Sequence, residues 1–388
     1  MAATICWGLA AWINVALPQV IAPFPSPGKS VPAKPVGKHG PPPPPPVYKA
    51  GWSVPLNSVK QVRVAAGTAN VFIGTDTGPL KARTLADATD VWTADLKPDV
   101  DLAAGDQLLF VAEGDVLHAL EQDTGHERWR VTTGPLAVAP MWQVGWVFTA
   151  AKSGALTAFR AADGSQVWQQ ALGSPAAATM ALDGDRLFVA LADQRLVCLG
   201  IVTGTVTWAL KLSAVGGEPL ALGDRVYLGT ADTNFYSVKQ GAGDVEWTHR
   251  LIRAKVAGHP ILDERHIYVA TLDNRVLALS RGNGAIQWMQ PLVSRPGEQL
   301  LLESGQLIVP LGSGEFTVLE PKEGKSVLPK PAVPAVPAVP VPAAPKAGEG
   351  TKLAAPLVLA GTTDAPQLLR VTIGPDALYT LTSFRRDK

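Results

Sequence analysis

Short apolar segments separated by turn-forming residues recur along most of the chain. Seven of them have the valine-, leucine- and aromatic-rich composition of buried β-strands. They read NVFIGT, QLLFVA, WVFTAA, RLFVAL, RVYLGT, HIYVAT and QLIVPL. A second apolar strand follows each of the last six after a short polar turn, and its apolar residues occupy positions of both parities. One face of a strand cannot account for both parities, so we expect this second strand to be buried on both faces.

A tryptophan recurs along the chain at nearly constant spacing. Trp52, Trp92, Trp129, Trp168, Trp208, Trp247 and Trp288 are separated by 40, 37, 39, 40, 39 and 41 residues. Five of them end a Gly-x-x-x-Trp element, which begins at Gly125, Gly164, Gly204, Gly243 or Gly284. A sixth copy begins at Gly324 and has Leu328 in the tryptophan position, and Trp92 follows Ala88 where the others have glycine. A repeat of this length with four short strands is typical of one β-propeller blade.

Each end of the chain holds only part of a repeat. Residues 357–384 contain three strand-like segments with no Gly-x-x-x-Trp strand after them, whereas residues 47–52 end in Gly51 and Trp52 without a blade of their own. We therefore predict an all-β propeller of four-stranded blades whose ring is closed by pairing of the N- and C-terminal strands. Eight blades are favoured, with seven as the alternative. Closure of this kind leaves no sheet with an unpaired edge between the two ends.

Two proline-rich stretches interrupt the strand pattern. Residues 23–46 and 329–350 contain proline so often that neither helix nor sheet is expected, because each proline lacks the amide donor. We interpret residues 23–46 as a stiff spacer and residues 329–350 as an insertion loop. The propeller blades then occupy residues 47–328, and residues 351–388 supply the C-terminal strands that complete the last blade.

Residues 1–22 contain no charged side chain and include the apolar run ICWGLAAWINVAL. This pattern predicts a hydrophobic export signal or a membrane anchor. The basic patch that begins a secretory signal is missing, and Ile5 before Cys6 is a poor match to a lipoprotein cleavage site. A buried or disordered apolar tail is the alternative, and cleavage, lipidation and retention all stay open.

Charge and cysteine content exclude several classes of protein. The chain has 34 basic and 33 acidic residues and a formal net charge of +1, so no overall field attracts nucleic acid and none is predicted to bind. Two cysteines cannot build a disulfide framework. Cys198 occupies a position that other repeats fill with Ala, Ser or Val, and we interpret it as a packed core residue.

The apolar strand and the Gly-x-x-x-Trp element together resemble the repeat of the pyrroloquinoline-quinone-type (PQQ-like) propeller family. The most similar copies are LTAFRAADGSQVW and VLALSRGNGAIQW, and the resemblance covers roughly residues 50–328. In that family the tryptophan and the glycine lock adjacent blades together, so the resemblance implies an architecture without implying a cofactor. The predicted structural repeat residues are Gly51, Trp52, Trp92, Gly125, Trp129, Gly164, Trp168, Gly204, Trp208, Gly243, Trp247, Gly284, Trp288 and Gly324.

One branch of this family, the quinoprotein dehydrogenases, is enzymatic. The resemblance implies for that branch a quinone held over calcium in the central funnel, a catalytic aspartate and a pair of adjacent cysteines, and this chain has no adjacent cysteines. Turn formation is a sufficient explanation for Asp193, Asp232 and Asp273. The six histidines lack metal-ligand spacing, and we interpret His118 as a structural residue within a strand. We therefore predict no catalytic, cofactor-binding or metal-binding residues and a protein that is not an enzyme.

The other branch is similar to the outer-membrane assembly factor BamB, which carries the repeat without a cofactor and binds partner proteins through loops. We predict a non-catalytic scaffold in the periplasm or envelope of a bacterium, with residues 1–22 as a candidate membrane tether. Its expected partners are other envelope proteins, bound through the propeller loops. The alternatives are a quinone- or calcium-dependent oxidoreductase and a small-ligand sensor. Either a partner surface or solvated hairpins would explain the arginines Arg186, Arg225, Arg253, Arg275 and Arg295.

Overall fold

The protein is represented by a computed structural model. It describes residues 48–56, 61–143, 145–251, 254–297, 299–303, 305–313, 315–327, 352–353, 358–362, 365–373 and 379–386. The predicted signal or anchor, the spacer, the insertion loop and Leu328 lie outside these described residues. Within them the backbone forms strands and turns, and there is no helix long and apolar enough to cross a membrane.

The strands form eight antiparallel sheets, which we number as blades I to VIII. Strand β1 (Tyr48–Leu56) belongs to the last of them, and the next strands fill the first four blades in chain order. Blade I contains β2 (Val62–Ala66), β3 (Asn70–Thr75), β4 (Leu80–Thr84) and β5 (Asp90–Ala94). Blade II contains β6 (Ala103–Gly105), β7 (Leu108–Glu113), β8 (Val116–Glu121) and β9 (Glu127–Thr132). Blade III contains β10 (Met141–Gln143), β11 (Trp146–Ala150), β12 (Ala155–Arg160) and β13 (Gln166–Ala171). Blade IV contains β14 (Ala181–Asp183), β15 (Arg186–Ala190), β16 (Arg195–Gly200) and β17 (Val206–Lys211).

The remaining blades continue the same order. Blade V contains β18 (Leu220–Leu222), β19 (Arg225–Gly229), β20 (Asn234–Lys239) and β21 (Val245–Arg250). Blade VI contains β22 (Ile261–Leu262), β23 (His266–Thr271), β24 (Arg275–Ser280) and β25 (Ile286–Pro291). Blade VII contains β26 (Leu301–Glu303), β27 (Gln306–Pro310) and β28 (Phe316–Leu319), and a bridge between Leu319 and Ser326 extends it outward. Blade VIII contains β29 (Lys352–Leu353), β30 (Val358–Thr362), β31 (Ala365–Ile373), β32 (Tyr379–Arg386) and β1.

The core lies between the sheets and is built by the second and third strands of each blade. In blade IV the residues of β15 after Arg186 are all buried, and so are the four central residues of β16. The outermost strand β17 instead alternates between exposed and half-buried residues. The prediction that the strand before each Gly-x-x-x-Trp element is buried on both faces is confirmed in this blade. A ring of sheets packed face to face explains the pattern, because only the outermost strand meets solvent.

The ring closes by pairing of the two ends of the chain, as predicted. Strand β1 is the outermost strand of blade VIII and pairs antiparallel with β32, so that Ser53 lies opposite Thr382 and Leu56 opposite Tyr379. Strands β31 and β30 complete the sheet on the inner side. The prediction of eight blades is therefore confirmed, and the N-terminal strand fills the edge that the C-terminal strands leave open.

Each repeated tryptophan reaches from its own blade into the next one. The indole Nε1 donates to a backbone carbonyl of the following blade at 2.6–3.1 Å. These donor–acceptor pairs are Trp52 to Leu85, Trp92 to Gln122, Trp129 to Ala161, Trp168 to Ile201, Trp208 to Gln240, Trp247 to Arg281 and Trp288 to Pro321. A hydrogen bond with the donor held between two blades fixes the distance between them, because a buried indole N–H that lost its acceptor would be costly.

The repeated glycine of the next blade lies directly beneath this indole. A Cβ atom built on Gly125, Gly164, Gly204, Gly243, Gly284 or Gly324 would come within 2.5–2.7 Å of the tryptophan ring of the preceding blade. Each of these glycines also has a φ between +69° and +75°. Both the left-handed backbone and the close approach of the ring therefore favour glycine.

Two positions of the repeat and one boundary between blades differ from this arrangement. Ala88 stands beside the Trp52 contact with a φ of 62°, in a backbone region that L-residues seldom adopt. A Cβ atom on Gly51 would have its nearest neighbour at 3.6 Å, so Gly51 has ordinary room and does not take the position of the other glycines. Between blades VII and VIII, Phe316 packs edge-on against Phe384 with ring centroids 6.0 Å apart.

We expect Gly204→Ala to lower the melting temperature of the protein more than Gly184→Ala does. Both glycines belong to blade IV and both have a positive φ, of 69° and 59°, so both substitutions pay about 1 kcal/mol of backbone strain. Only Gly204 lies beneath Trp168, which adds about 1–3 kcal/mol of overpacking. Thermal melts followed by tryptophan fluorescence compare the two variants. Equal losses would show that the ring contact carries no stability.

We expect a disulfide between Ser53→Cys and Thr382→Cys to raise the melting temperature under oxidising conditions. The two residues lie opposite each other across β1 and β32, and their hydroxyl oxygens are 3.1 Å apart. A bond there closes the ring covalently and removes conformational entropy from the unfolded chain. The measurement is a melt with and without reductant, with each single cysteine variant as the control. A double variant that gains nothing on oxidation would contradict this pairing of the chain ends.

Candidate functional site

A cavity of about 610 Å³ lies at the centre of the ring, which we call the funnel cavity. The first strands of neighbouring blades contact one another around it. Its lining comes from the segments that connect the outermost strand of one blade to the first strand of the next, in blades II to VI, together with Arg63 of β2 and residues 229–231 at the end of β19. Small residues dominate these segments, such as Ala137, Ala178, Gly216 and Gly217. Their small size leaves the space in the middle of the ring open.

One residue position recurs two residues before the first strand of successive blades. It is occupied by Asp101, Ala139, Thr179, Glu218 and His259 in blades II to VI, all of which line the cavity, and by Gln299 in blade VII. The Thr179 hydroxyl hydrogen-bonds the Glu218 carboxyl, and His259 Nδ1 contacts Glu218 Oε2. The backbones of His259 and Gln299 are paired by a parallel bridge. We call Thr179, Glu218, His259 and Gln299 the polar arc, since these contacts link four consecutive blades.

Within the polar arc, Glu218 has a strongly raised pKa. Its side chain is 23% exposed, and burial raises the pKa of Glu218 to about 8, although the hydrogen bond from Thr179 acts in the opposite direction. The raised pKa favours the protonated carboxyl at pH 7, with His259 Nδ1 in contact with its Oε2. A carboxylic acid beside an imidazole in a cavity forms a site for recognition of a polar ligand or for proton transfer.

The lining of the funnel cavity does not fit a calcium–quinone centre. Its carboxyl groups are Asp101 and Glu218, whereas calcium takes six to eight oxygen ligands. No group of three His, Cys, Asp or Glu side chains able to hold a metal ion occurs among the described residues. Cys198 lies fully buried within β16, and burial raises the pKa of its thiol.

The residues predicted from the sequence lie away from the funnel cavity. The repeat tryptophans and glycines line the contacts between blades, apart from Gly51, and none of them lines the cavity. The His118 side chain has a hydrogen-bond partner on the neighbouring strand, because its Nδ1 lies 2.6 Å from Oε2 of Glu127. Asp193, Asp232 and Asp273 accept hydrogen bonds from neighbouring turn residues, which agrees with their interpretation as turn formers.

Sequence reasoning missed the polar arc. Glu218 follows two glycines and precedes Pro219, and His259 lies between Gly258 and Pro260. A charged or ionisable residue between glycine and proline, two positions before a first strand, is the signal that the repeat alignment offered. This pattern by itself did not predict a site, because the residues that meet in the polar arc belong to different repeats.

A second candidate surface lies on the outer rim of blades IV to VI. Val206, Val245 and Ile286 occupy the same position in the outermost strands of these three blades and are 43%, 43% and 39% exposed. Met289 on blade VI is 44% exposed. Beside it is a groove of about 280 Å³ lined by Leu251, Ala254, Thr271, Asp273, Arg275, Leu277, Ile286 and Met289. Recurrent exposed apolar residues of this kind are typical of protein-binding surfaces.

Solved structures with a similar fold include BamB, quinohemoprotein alcohol dehydrogenases and a designed protein. BamB from Moraxella catarrhalis is 18% identical, with a TM-score of 0.57 over 70% of this chain and 97% of that one. A quinohemoprotein alcohol dehydrogenase from Pseudomonas putida HK5 is 12% identical, with a TM-score of 0.64 over 87% of this chain and 76% of that one. The computationally designed protein Ika8 is 14% identical, with a TM-score of 0.66 over 84% of this chain and 98% of that one. At these identities the likeness shows the fold alone.

The family comparison goes further than the structural likeness. No curated protein sequence matches the chain significantly. The family described as outer membrane protein assembly factor BamB (PQQ_2) matches three overlapping segments, residues 76–179, 152–251 and 215–332, which together span more than half of the chain. These segments contain six of the seven repeated tryptophans and every blade-locking glycine. The chain therefore belongs to the PQQ-like propeller family described as outer membrane protein assembly factor BamB.

Proposed function

We propose that the protein is a non-catalytic, protein-binding scaffold of the bacterial cell envelope. The observation that carries this proposal is the row of exposed apolar side chains on the rim of blades IV to VI, where Val206, Val245 and Ile286 recur at one register position. A closed ring of sheets holds such a row in a fixed geometry. Rigid presentation of apolar groups lowers the entropy cost of binding another protein.

The family description supports the same role. The matching family is described as an assembly factor for outer membrane proteins, and we extend that description to this chain as a proposal. The partners are then other envelope proteins, and the protein works in the periplasm or at the membrane. Residues 1–22 would export or tether it, and residues 23–46 would hold the propeller away from the attachment point.

The enzymatic alternative has less support. The fold is shared with quinohemoprotein alcohol dehydrogenases, but the chain's two cysteines, Cys6 and Cys198, are far from adjacent. The carboxyl groups that line the funnel cavity are Asp101 and Glu218, of which Glu218 is protonated at pH 7 because burial raises its pKa to about 8. Neither feature suits a calcium-bound quinone.

A small-ligand sensor is the second candidate function, and the funnel cavity is the observation that favours it. A volume of about 610 Å³ is within the usual range for small-molecule sites. The polar arc supplies a carboxylic acid and an imidazole at the mouth, and Arg63 and Lys255 add positive charge. A small polar molecule bound there would contact several blades at once.

We expect the tagged full-length protein to capture specific envelope proteins after export. A reporter enzyme that is active only outside the cytoplasm, fused after Lys388, first establishes that the protein is exported. Crosslinking in cells and mass spectrometry then identify the captured partners. An inactive but well-expressed reporter would contradict the envelope location. Oxidation of alcohols by the purified protein with added quinone and calcium would contradict the scaffold role.

We expect the stability of the protein to fall as the pH rises from about 4.5 to about 8, and Glu218→Gln to remove part of this fall. Burial holds the pKa of Glu218 at about 8 in the folded state, whereas the pKa of a glutamate exposed to water in the unfolded chain is about 4.5. The unfolded state therefore loses its proton first, and the advantage of the protonated folded state disappears as the pH approaches 8. The difference is at most a few kcal/mol.

Urea unfolding of the wild type and of Glu218→Gln across this pH range measures the effect. Glu246→Gln is a control, because Glu246 is a carboxylate of the same blade that pairs with Arg225 outside the funnel. A difference between wild type and Glu218→Gln that stays constant with pH would show that Glu218 titrates normally.

A further inference from the structure

The same three positions on the rim can be compared in six blades. They are the residue after the blade's last-strand tryptophan, its cross-strand partner on the third strand, and the residue two before that tryptophan; we call them the rim triplet. In blades I to III the triplets are Lys81, Thr93 and Asp90; His118, Arg130 and Glu127; and Thr157, Gln169 and Gln166. In blades IV to VI they are Val197, Ala209 and Val206; Tyr236, Thr248 and Val245; and Leu277, Met289 and Ile286. One half of the rim is polar and the other half largely apolar.

The polar triplets show that the fold does not need apolar residues here. In blade II, Glu127 lies 2.6 Å from Nδ1 of His118 and 3.6 Å from Nε of Arg130. In blade III, Nε2 of Gln169 donates to the Thr157 hydroxyl at 3.3 Å. These side chains satisfy one another at the surface. Val197 and Leu277 of the apolar triplets also pack in the core between blades. The exposed apolar side chains on the outermost strands, Val206, Val245, Ile286 and Met289, have no such packing role that the repeat itself imposes.

The apolar half of the rim contains a groove on blade VI. Leu277 is 6% exposed and lies at the bottom of the groove of about 280 Å³, whereas Ile286 and Met289 stand at its edge with 39% and 44% exposure. A recessed floor with raised apolar edges suits one or two inserted aliphatic side chains. A flat membrane surface would instead require apolar groups that protrude.

Positive charge adjoins the apolar triplets on the same strand faces. The next residues along these faces, two positions further along each strand, are Arg195 and Lys211 in blade IV, Asn234 and Arg250 in blade V, and Arg275 and Pro291 in blade VI. The equivalent residues are Pro79 and Asp95, Val116 and Thr132, and Ala155 and Ala171 in blades I to III. Cations thus occupy these positions only in the apolar half of the six blades compared.

Two of these four cations form a salt bridge with a carboxylate in the neighbouring turn. Arg195 pairs with Asp193 at 2.7 Å and Arg275 with Asp273 at 3.4 Å. Lys211 donates to the backbone carbonyl of Asp193 and shares the Asp193 carboxylate with Arg195, and the side chain of Arg250 is exposed. With Asp232, which accepts from Asn234, three carboxylates stand against these four cations. The charge next to the apolar rows is therefore positive on balance, which favours an acidic partner.

We propose that the rim of blades IV to VI binds an acidic segment of a partner protein whose aliphatic side chains enter the apolar triplets. This inference rests on the proposed scaffold function and names the surface that performs it. The chain's own insertion, residues 329–350, is a poor occupant, because it contains Lys330 and Lys346 and only one acidic residue, Glu349. A second copy that docked the same rim would bring cations against cations.

A defined peptide tests this surface on the purified full-length protein. The probe is a fluorescent twelve-residue peptide of alternating leucine and glutamate, and its counterpart has lysine in place of glutamate. We expect the glutamate peptide to bind, to weaken as salt is raised, and to bind at least tenfold more tightly than the lysine peptide. We expect Arg250→Glu and Met289→Glu each to weaken binding of the glutamate peptide about tenfold.

Matched controls come from the polar half of the rim. Thr132→Glu has the register position of Arg250→Glu, and Gln169→Glu that of Met289→Glu, so each pair introduces a glutamate at an equivalent exposed site. Both controls should bind the glutamate peptide like the wild type. Equal binding of the two peptides, equal weakening by the control variants, or no binding would each overturn the proposal.

Two further measurements test whether the rim has a different occupant. Binding to phosphatidylglycerol vesicles that Met289→Glu abolishes, without binding of the peptide, would assign the rim to a membrane and overturn the proposal. Self-association that Met289→Glu abolishes, seen by analytical ultracentrifugation, would assign the rim to a second copy and overturn the proposal.

Photo-crosslinking in cells from position 289, with position 169 as the control, should yield partner peptides rich in Asp, Glu and aliphatic residues.

Failure of this inference can be told apart from failure of the scaffold function. If the Arg250→Glu, Met289→Glu double variant still captures the envelope partners of the wild type, the scaffold function stands and the rim of blades IV to VI is not its surface. If the wild type captures no envelope partner, the scaffold function fails, and the peptide experiment still tests the rim alone.

Discussion

The hydrogen bond from each repeated indole N–H to a backbone carbonyl of the next blade is the contact on which the ring depends. It occurs at seven successive boundaries with donor–acceptor distances of 2.6–3.1 Å. The glycine beneath the ring lets the indole approach closely, since a Cβ atom there would come within 2.5–2.7 Å of it. Because the acceptor is a backbone atom, the residue that carries it varies from Leu85 to Pro321 without loss of the contact. The fold therefore constrains two residues in each repeat and leaves many others free.

The freedom of the other positions explains how a repetitive ring becomes asymmetric. The indole lies on the side of its blade that faces the next one, and the rim triplet belongs to the opposite face of the same strands. Glu127 and Ile286 occupy one register position with the same backbone pairing, yet one is an ion-pairing residue and the other an exposed apolar residue. Such positions add function without changing the packing between blades.

The centre of the ring follows a different rule. The segments that line the funnel cavity are short and rich in Ala and Gly, so the few larger polar side chains among them determine the chemistry of the mouth. Glu218 and His259 meet there because adjacent blades bring equivalent positions together around the axis. The raised pKa of Glu218 is a result of burial in this closed space, and an isolated blade would leave the carboxyl in water.

The sequence by itself determined the blades and their closure, because the features that specify them are local and repeated. Each apolar strand, each aspartate turn and each Gly-x-x-x-Trp element lies within one repeat, and the missing strand of the last repeat indicated that residues 47–52 complete it. The exceptions were also visible in the sequence as Ala88 and Leu328, but the ordinary room around Gly51 was not, because Gly51 has the dipeptide of the motif without its turn. Only the tertiary structure decided the two candidate sites. Glu218 and His259 are about one repeat apart in the chain, and the rim surface joins residues of three blades, so both exist only after the sheets pack side by side around a common axis.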